Sequence, residues 1–152
     1  MPHPAIAKER VAVVTGAASG IGLAASIRFA EMGMQVVLAD LGADRLDAAA
    51  EIVAAFASEG RDSVTVAETD VSRADNLSAL ESAVRERFGG TDVLMNNAGV
   101  QPGSSIFGPA ETWQRVIDVN LWGVINGTRA FVPAMIERRR PGLVINTGSK
   151  QG

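Results

Sequence analysis

The chain has 152 residues, 47% hydrophobic and 20% charged, a balance that suits one soluble globular domain (1–152) with a sizeable core and excludes a disordered chain. The absence of cysteine excludes disulfides, thiol catalysis and a cysteine-ligated metal, and no metal site is expected; the formal charge of −3 gives no electrostatic ground for a nucleic-acid partner. No apolar stretch approaches the roughly 20 residues of a membrane span, and no long apolar run of the signal-peptide kind precedes the first strand, so no membrane partner and a cytoplasmic location are expected.

Residues 11–14 form a short apolar run, the pattern of a strand buried in a parallel sheet. The run breaks into Gly16, Gly20 and Gly22, spaced G-x-x-x-G-x-G, after which Leu23, Ile27, Ala30 and Met34 recur at helical spacing. Residues 36–40 (VVLAD) read as a second buried strand ending in an acid. Leu46, Ala50, Val53 and Ala57 make a second helical stripe, with Gly60 as its stop. Residues 64–69 read as a third strand; Ser72 and Asp75 then resemble a helix N-cap pair, followed by the stripe Leu77, Leu80, Val84, Phe88 and the stop Gly89-Gly90.

A fourth strand starts at 92–95 and runs into Asn96-Asn97-Ala98-Gly99. The segment 101–109, with its prolines and glycines, has the composition of a loop. A long helix is expected from about 111 to 139, with Trp113, Ile117, Leu121 and Val124 on one face and Pro133 distorting or breaking it. Arg138–Arg140 fall at its C-terminal end, where cations oppose the dipole, and Pro141-Gly142 stops it. Residues 143–146 read as a fifth strand. Five strands alternating with four helices predict an α/β fold, a parallel sheet covered on both faces by right-handed crossovers. Such a doubly wound sheet binds ligands at the carboxyl ends of its strands, where the polar clusters fall.

Strand, glycine turn and helix together aim backbone N–H groups and a helix N-terminus at a phosphate. Gly16 would make the turn, Gly20 would let the backbone approach a pyrophosphate, and Gly22 would let the helix pack closely on the strand; an ordinary tight connection is the plain alternative. Asp40 lies 18 residues after Gly22 at the end of the second strand. A carboxylate there can accept hydrogen bonds from both hydroxyls of an adenosine ribose and would repel a 2′-phosphate. Neither Ser19 nor Leu41 supplies a compensating cation, so the residues favour NAD over NADP; a solvated strand-end acid is the alternative. Asn120 shares a helix face with the apolar stripe, where an unpaired buried amide would cost about 1–3 kcal/mol. A satisfied core asparagine is its plain reading. Ser149 has no His or acid beside it to suggest a triad, and the one histidine is His3, near the terminus.

TGAASGIG, from Thr15 to Gly22, resembles the cofactor motif of the short-chain dehydrogenases/reductases in the spacing of their short form. Three further matches follow in the family's order. Asp70-Val71 resembles the adenine-contacting pair; Asn96 to Gly99 resembles the NNAG motif that supports the sheet and borders the cofactor; VINTGS resembles the strand that delivers the catalytic serine, at Ser149. The resemblance spans essentially the whole chain and implies a Rossmann-like doubly wound sheet, incomplete on its C-terminal side. It implies Asn120 and Ser149 as catalytic residues, the first positioning a water in a proton relay, the second hydrogen-bonding the substrate oxygen. It implies Gly16, Ser19, Gly20, Ile21, Gly22, Asp40, Leu41, Asp70, Val71, Asn97, Ala98 and Gly99 as the cofactor site. The activity implied is NAD(P)-dependent hydride transfer with a small alcohol or carbonyl substrate, by a homodimer or homotetramer.

One departure matters. The sequence contains no tyrosine, and so lacks the family's Y-x-x-x-K general acid/base segment; Lys150 is not its lysine. The chain is therefore expected to be the N-terminal portion of a longer dehydrogenase and inactive by itself, since proton transfer needs a positioned group of suitable pKa. A non-catalytic dinucleotide-binding or partner-binding module is the alternative.

Overall fold

The computed structural model describes residues 3–103 and 105–149. β1 (Val11–Thr15), buried throughout, leads by the glycine turn into α1 (Gly20–Glu31). β2 (Gln35–Asp40), α2 (Ala43–Ala54), a 3-10 turn (Gly60–Ser63), β3 (Val64–Glu68), α3 (Ala74–Phe88) and β4 (Val93–Asn96) follow. A helical rod then runs as α4 (Ala110–Val116), a π-helical segment (Ile117–Trp122) and α5 (Gly123–Glu137) before β5 (Leu143–Asn146). All strands are parallel, in the order β3-β2-β1-β4-β5. The fold is a Rossmann-like doubly wound α/β sheet whose strand order reverses between β1 and β4.

Period-two alternation along the central strands divides the core between two helical layers. Ala12, Val14, Val36, Leu38, Val93 and Met95 pack against Phe29 and Ala30 of α1 and Leu46, Ala50 and Val53 of α2. Val11, Val13, Val37, Ala39 and Leu94 face the other way, onto Leu77, Leu80 and Val84 of α3 and Phe131 and Met135 of α5. Below the sheet, at the amino ends of the strands, the buried carboxylate of Asp92 accepts the Val11 N–H at 2.9 Å. Arg10, Arg138 and Arg140 surround it at 3.2, 3.6 and 2.8 Å. Two of the arginines expected to serve the helix dipole are thus turned onto a shared carboxylate.

Several local expectations differ from the structure. Ser72 and Asp75 form no capping pair: Arg73 is the N-cap residue of α3 and its side chain makes no capping bond, while Asp75 Oδ1 accepts the Asn76 N–H at 3.1 Å. Asp70 captures Ser72 instead, accepting both its N–H at 3.0 Å and its O–H at 2.6 Å. Asp75, exposed, has its carboxyl held below the ordinary range by the hydrogen bond from Arg73. α2 ends at Ala54, and Gly60 opens the 3-10 turn. Pro133 does not interrupt α5; the irregularity in the rod is the π-helical segment upstream.

The long helix also buries a different face from the one its large apolar residues mark. Trp113, Ile117 and Leu121 are exposed, whereas Gly123, Asn126, Gly127, Phe131 and Met135 are buried. The first turns of that buried face carry glycines because the rod runs close to its neighbours there, while Phe131 and Met135 fill the core further along. A Cβ at Gly123 would stand 2.8 Å from Val71 Cγ2, and one at Gly127 would stand 2.2 Å from Asn96 Oδ1.

Candidate functional site

At the carboxyl ends of β1 and β4 lies a cleft of about 400 Å³. Gly16, Ser19, Ile21, Asp40 and Leu41 line one part of it; Asp70, Val71, Asn97, Ala98 and Gly99 line another. Ten of the twelve residues expected at a cofactor site therefore share one concavity, although they come from four separate strand ends. Gly20 and Gly22 stand in the same turn without lining the cleft among the described residues.

The turn is shaped for an anion. Gly16 and Gly20 have φ of +64° and +56°, a region open to glycine at little cost. A Cβ on Gly16 would lie 2.7 Å from Ala98 Cα, while one on Gly20 would meet nothing within 4 Å, so that backbone faces open space. Ser19 is extended at the N-cap of α1, yet among the described residues neither it nor any other side chain caps the helix, and no acid stands in the first turn. The first N–H groups of α1 are left with the partial positive charge of the helix dipole.

Asn97 ties this turn to β4. Its side-chain Nδ2 donates to the carbonyls of Thr15 at 3.1 Å and Gly16 at 3.2 Å. The N–H groups of Asn97 and Ala98 both donate to Thr15 Oγ1, at 3.0 and 3.1 Å. Asp40 ties the turn to β2: its Oδ2 accepts the Ala18 N–H at 2.9 Å and its Oδ1 accepts the Leu41 N–H at 2.7 Å. Each oxygen retains a second lone pair for a ligand.

The sequence reading missed two cations. Arg45, in the first turn of α2, and Arg115, on α4, both line the cleft, so its charged lining is two acids and two arginines. A folded α2 swings Arg45 back over the glycine turn, with Nη2 3.5 Å from Ser19 Oγ. An arginine five residues beyond the strand-end acid carries no sequence mark of that placement.

The two residues expected to be catalytic do not line the cleft. Asn120 lies in the π-helical segment and is exposed, not buried in an apolar face. Its amide pairs with one backbone unit: Oδ1 accepts the Val100 N–H at 2.7 Å and Nδ2 donates to the Val100 carbonyl at 2.9 Å. It thereby fixes the loop that follows β4, one residue beyond Gly99. π-helical insertions of this kind recur at functional sites. Ser149 is exposed beyond β5. The segment leading to it is anchored by the Thr147 N–H, which donates to the Asn96 carbonyl at 3.1 Å. Lys150, set aside above, lies outside the described residues.

Strand order, switch point and glycine turn together define the doubly wound class that places ligands across the β1/β4 crevice. The family model described as "short chain dehydrogenase" matches residues 10–152, and the chain belongs to that family. It is 43% identical over 148 residues to 1-deoxy-11-beta-hydroxypentalenate dehydrogenase of Streptomyces arenae, covering 93% of this chain and 50% of that protein. A short chain dehydrogenase/reductase from Burkholderia phymatum, solved in complex with NAD, superposes with a TM-score of 0.87 at 36% identity, covering 95% of this chain and 50% of that one. L-Sorbose reductase from Gluconobacter frateurii, solved with NADPH and L-sorbose, superposes with a TM-score of 0.86 at 33% identity, covering 96% of this chain and 54% of that one. The chain spans about half the length of the curated relatives it matches. No helix among the described residues is long and apolar enough to cross a membrane.

Proposed function

We propose that the chain is the NAD(P)-binding domain of a cytoplasmic oxidoreductase that moves a hydride between a nicotinamide cofactor, NAD in preference to NADP, and a small alcohol or carbonyl substrate. One observation carries the reading: Gly16 and Ser19, at the uncapped start of α1, and the carboxylate of Asp40 line one cleft at the switch point of the sheet. These residues fit a dinucleotide. The N–H groups of the turn hold the pyrophosphate, Asp40 accepts from the ribose hydroxyls, and Asp70 and Val71 border the adenine. Asn97, Ala98 and Gly99 form the β4 side of the seat.

When bound, the nicotinamide ring supplies the hydride donor or acceptor. Ser149 hydrogen-bonds the substrate oxygen, and Asn120 acts as a positioning residue through Val100. No tyrosine is present to move the proton, so these 152 residues bind dinucleotide without turning substrate over. The complete protein pairs them with a general acid/base and works as a homodimer or homotetramer. In that complete protein, Asp40→Ala weakens NADH binding and raises the NADP/NAD affinity ratio, read by nicotinamide fluorescence. Unchanged affinity for both dinucleotides would sink the ribose assignment.

A further inference from the structure

The amino ends of the strands hold a charge cluster that the cofactor reading does not use. Arg140 alone neutralises the buried Asp92, its fork reaching Oδ1 from Nε at 2.8 Å and Oδ2 from Nη2 at 3.0 Å. Arg10 and Arg138 nevertheless close on the same carboxylate through Nη1, at 3.2 and 3.6 Å. Three cations thus meet one anion. Among the described residues no second acid pairs with any of the three, and their sequence neighbours Glu9 and Glu137 make no ion pair. The backbone is bent to bring the arginines together. Glu9 and Arg139 are the two non-glycine residues among those described with φ in the left-handed region, at +66° and +49°. Such conformations cost energy and collect where a structure clamps something. One of the two precedes Arg10, and the other stands between Arg138 and Arg140. Gly90, at φ +128°, leaves the room that Arg138 needs, since a Cβ there would stand 2.9 Å from Arg138 Cδ.

The C-terminal end of α5 offsets part of the excess charge, because a helix C-terminus carries about half a negative charge. Roughly one and a half positive charges remain. A phosphomonoester carries about −1.5 to −2 near neutral pH, which matches them. Of the N–H donors on each guanidinium, Arg10 and Arg138 engage only those of Nη1 among the described residues. All three side chains reach solvent. We propose that Arg10, Arg138 and Arg140 form a seat for a phosphate group, free or esterified, at the amino ends of β1 and β4. That is the opposite end of the sheet from the cleft, and the proposal does not depend on the dinucleotide reading. Arg140 keeps Asp92 neutral while Arg10 and Arg138 turn their unengaged donors to the phosphate oxygens. An occupied seat ties the starts of β1 and β4 to the end of α5, so phosphate stabilises the folded chain.

The test is a calorimetric titration of the complete protein with inorganic phosphate, chloride holding the ionic strength constant. Direct binding is read because phosphate also stabilises proteins generally by exclusion from their surfaces. The unmodified protein should saturate. Arg10→Gln should weaken phosphate by about tenfold, the loss of one charge-assisted contact, and Arg10→Lys should fall between because it keeps the charge and loses the fork. Arg138→Gln is the second variant, and it should weaken phosphate to a similar degree. Saturating NADH should leave the phosphate affinity unchanged, since the glycine turn lies at the other end of the sheet. Glycerol 3-phosphate titrated alongside separates the two sources: tighter binding than inorganic phosphate marks an esterified ligand, and equal or weaker binding marks free phosphate. Phosphate that does not saturate the unmodified protein would overturn the seat. So would variants that bind it as the unmodified protein does, or its displacement by NADH; each of these leaves the cofactor reading standing.

Discussion

Gly22→Ala tests whether the turn is held by the packing described. A Cβ at this position would stand 2.2 Å from the Gly16 carbonyl oxygen and 2.6 Å from Asn97 Nδ2. Both are fixed atoms, one backbone and the other the latch to β4, so the turn must recede by roughly 1 Å to reach ordinary contact. That movement breaks the Asn97 Nδ2–Gly16 bond of 3.2 Å, worth about 1 kcal/mol. Overpacking adds about 1–3 kcal/mol. Replacing glycine by alanine within a helix returns at most about 1 kcal/mol. The cost wins by about 1–3 kcal/mol net, and each kcal/mol lowers the melting temperature by about 2–4 °C in a protein of roughly 150–250 residues. Calorimetry and NADH titration of the complete protein read both consequences, the second as a loss of at least about tenfold because hydrogen bonds do not tolerate that displacement. A variant as stable as the parent, with the same NADH affinity, would refute the close packing of turn, helix and latch.

Two other substitutions probe the supports of the site. Asp92→Ala strips a buried carboxylate from the Val11 N–H and three guanidiniums. Because the arginine side chains are 18–40% exposed and can turn to water, the loss should be about 2–4 kcal/mol, below the upper range for fully buried pairs. Urea unfolding of the complete protein reads it, and an unchanged midpoint would contradict the assignment. Asn120→Ala frees the N–H and carbonyl of Val100 at an exposed position, so stability should change by only about 1 kcal/mol. The displaced loop after β4 should nevertheless lower kcat/KM by about tenfold to a hundredfold. A variant with lowered stability and unimpaired kcat/KM would mean that Asn120 is structural only.

What the sequence makes legible is what neighbours in sequence determine. Val11 to Gly22 reads directly as strand, turn and helix, because the apolar run, the glycines and the helical stripe act within a few residues of one another. The strand-end placement of Asp40, Asp70 and Asn97 follows from alternation alone. The latches themselves do not: Asn97 reaches carbonyls on β1 that no local pattern marks, and Arg45 enters the cleft only because α2 folds back over the turn. The long helix misleads for a different reason. Trp113, Ile117 and Leu121 have the period of a core face, but the face that packs is the one carrying Gly123, Gly127, Phe131 and Met135, and at its two glycines smallness sets the fit. Ser72 and Asp75 have the spacing of a cap, yet Asp70 competes for the serine and wins with two hydrogen bonds.

The junction between β1 and β4 also governs how the domain assembles. Fastenings at its two ends join residues 81 and 82 positions apart, Val11 to Asp92 and Thr15 to Asn97. β1, α1 and β2 can come together from nearby contacts, whereas β4 must close a long loop before it docks, which makes it a late step in folding. The cleft exists only after that step. A dinucleotide seated across it binds the closed sheet and not the open one, and at a hundred times its dissociation constant it stabilises the closed form by about 2.7 kcal/mol. The supply of cofactor would then determine how often the middle of the sheet comes apart, and with it the chain's exposure to proteases.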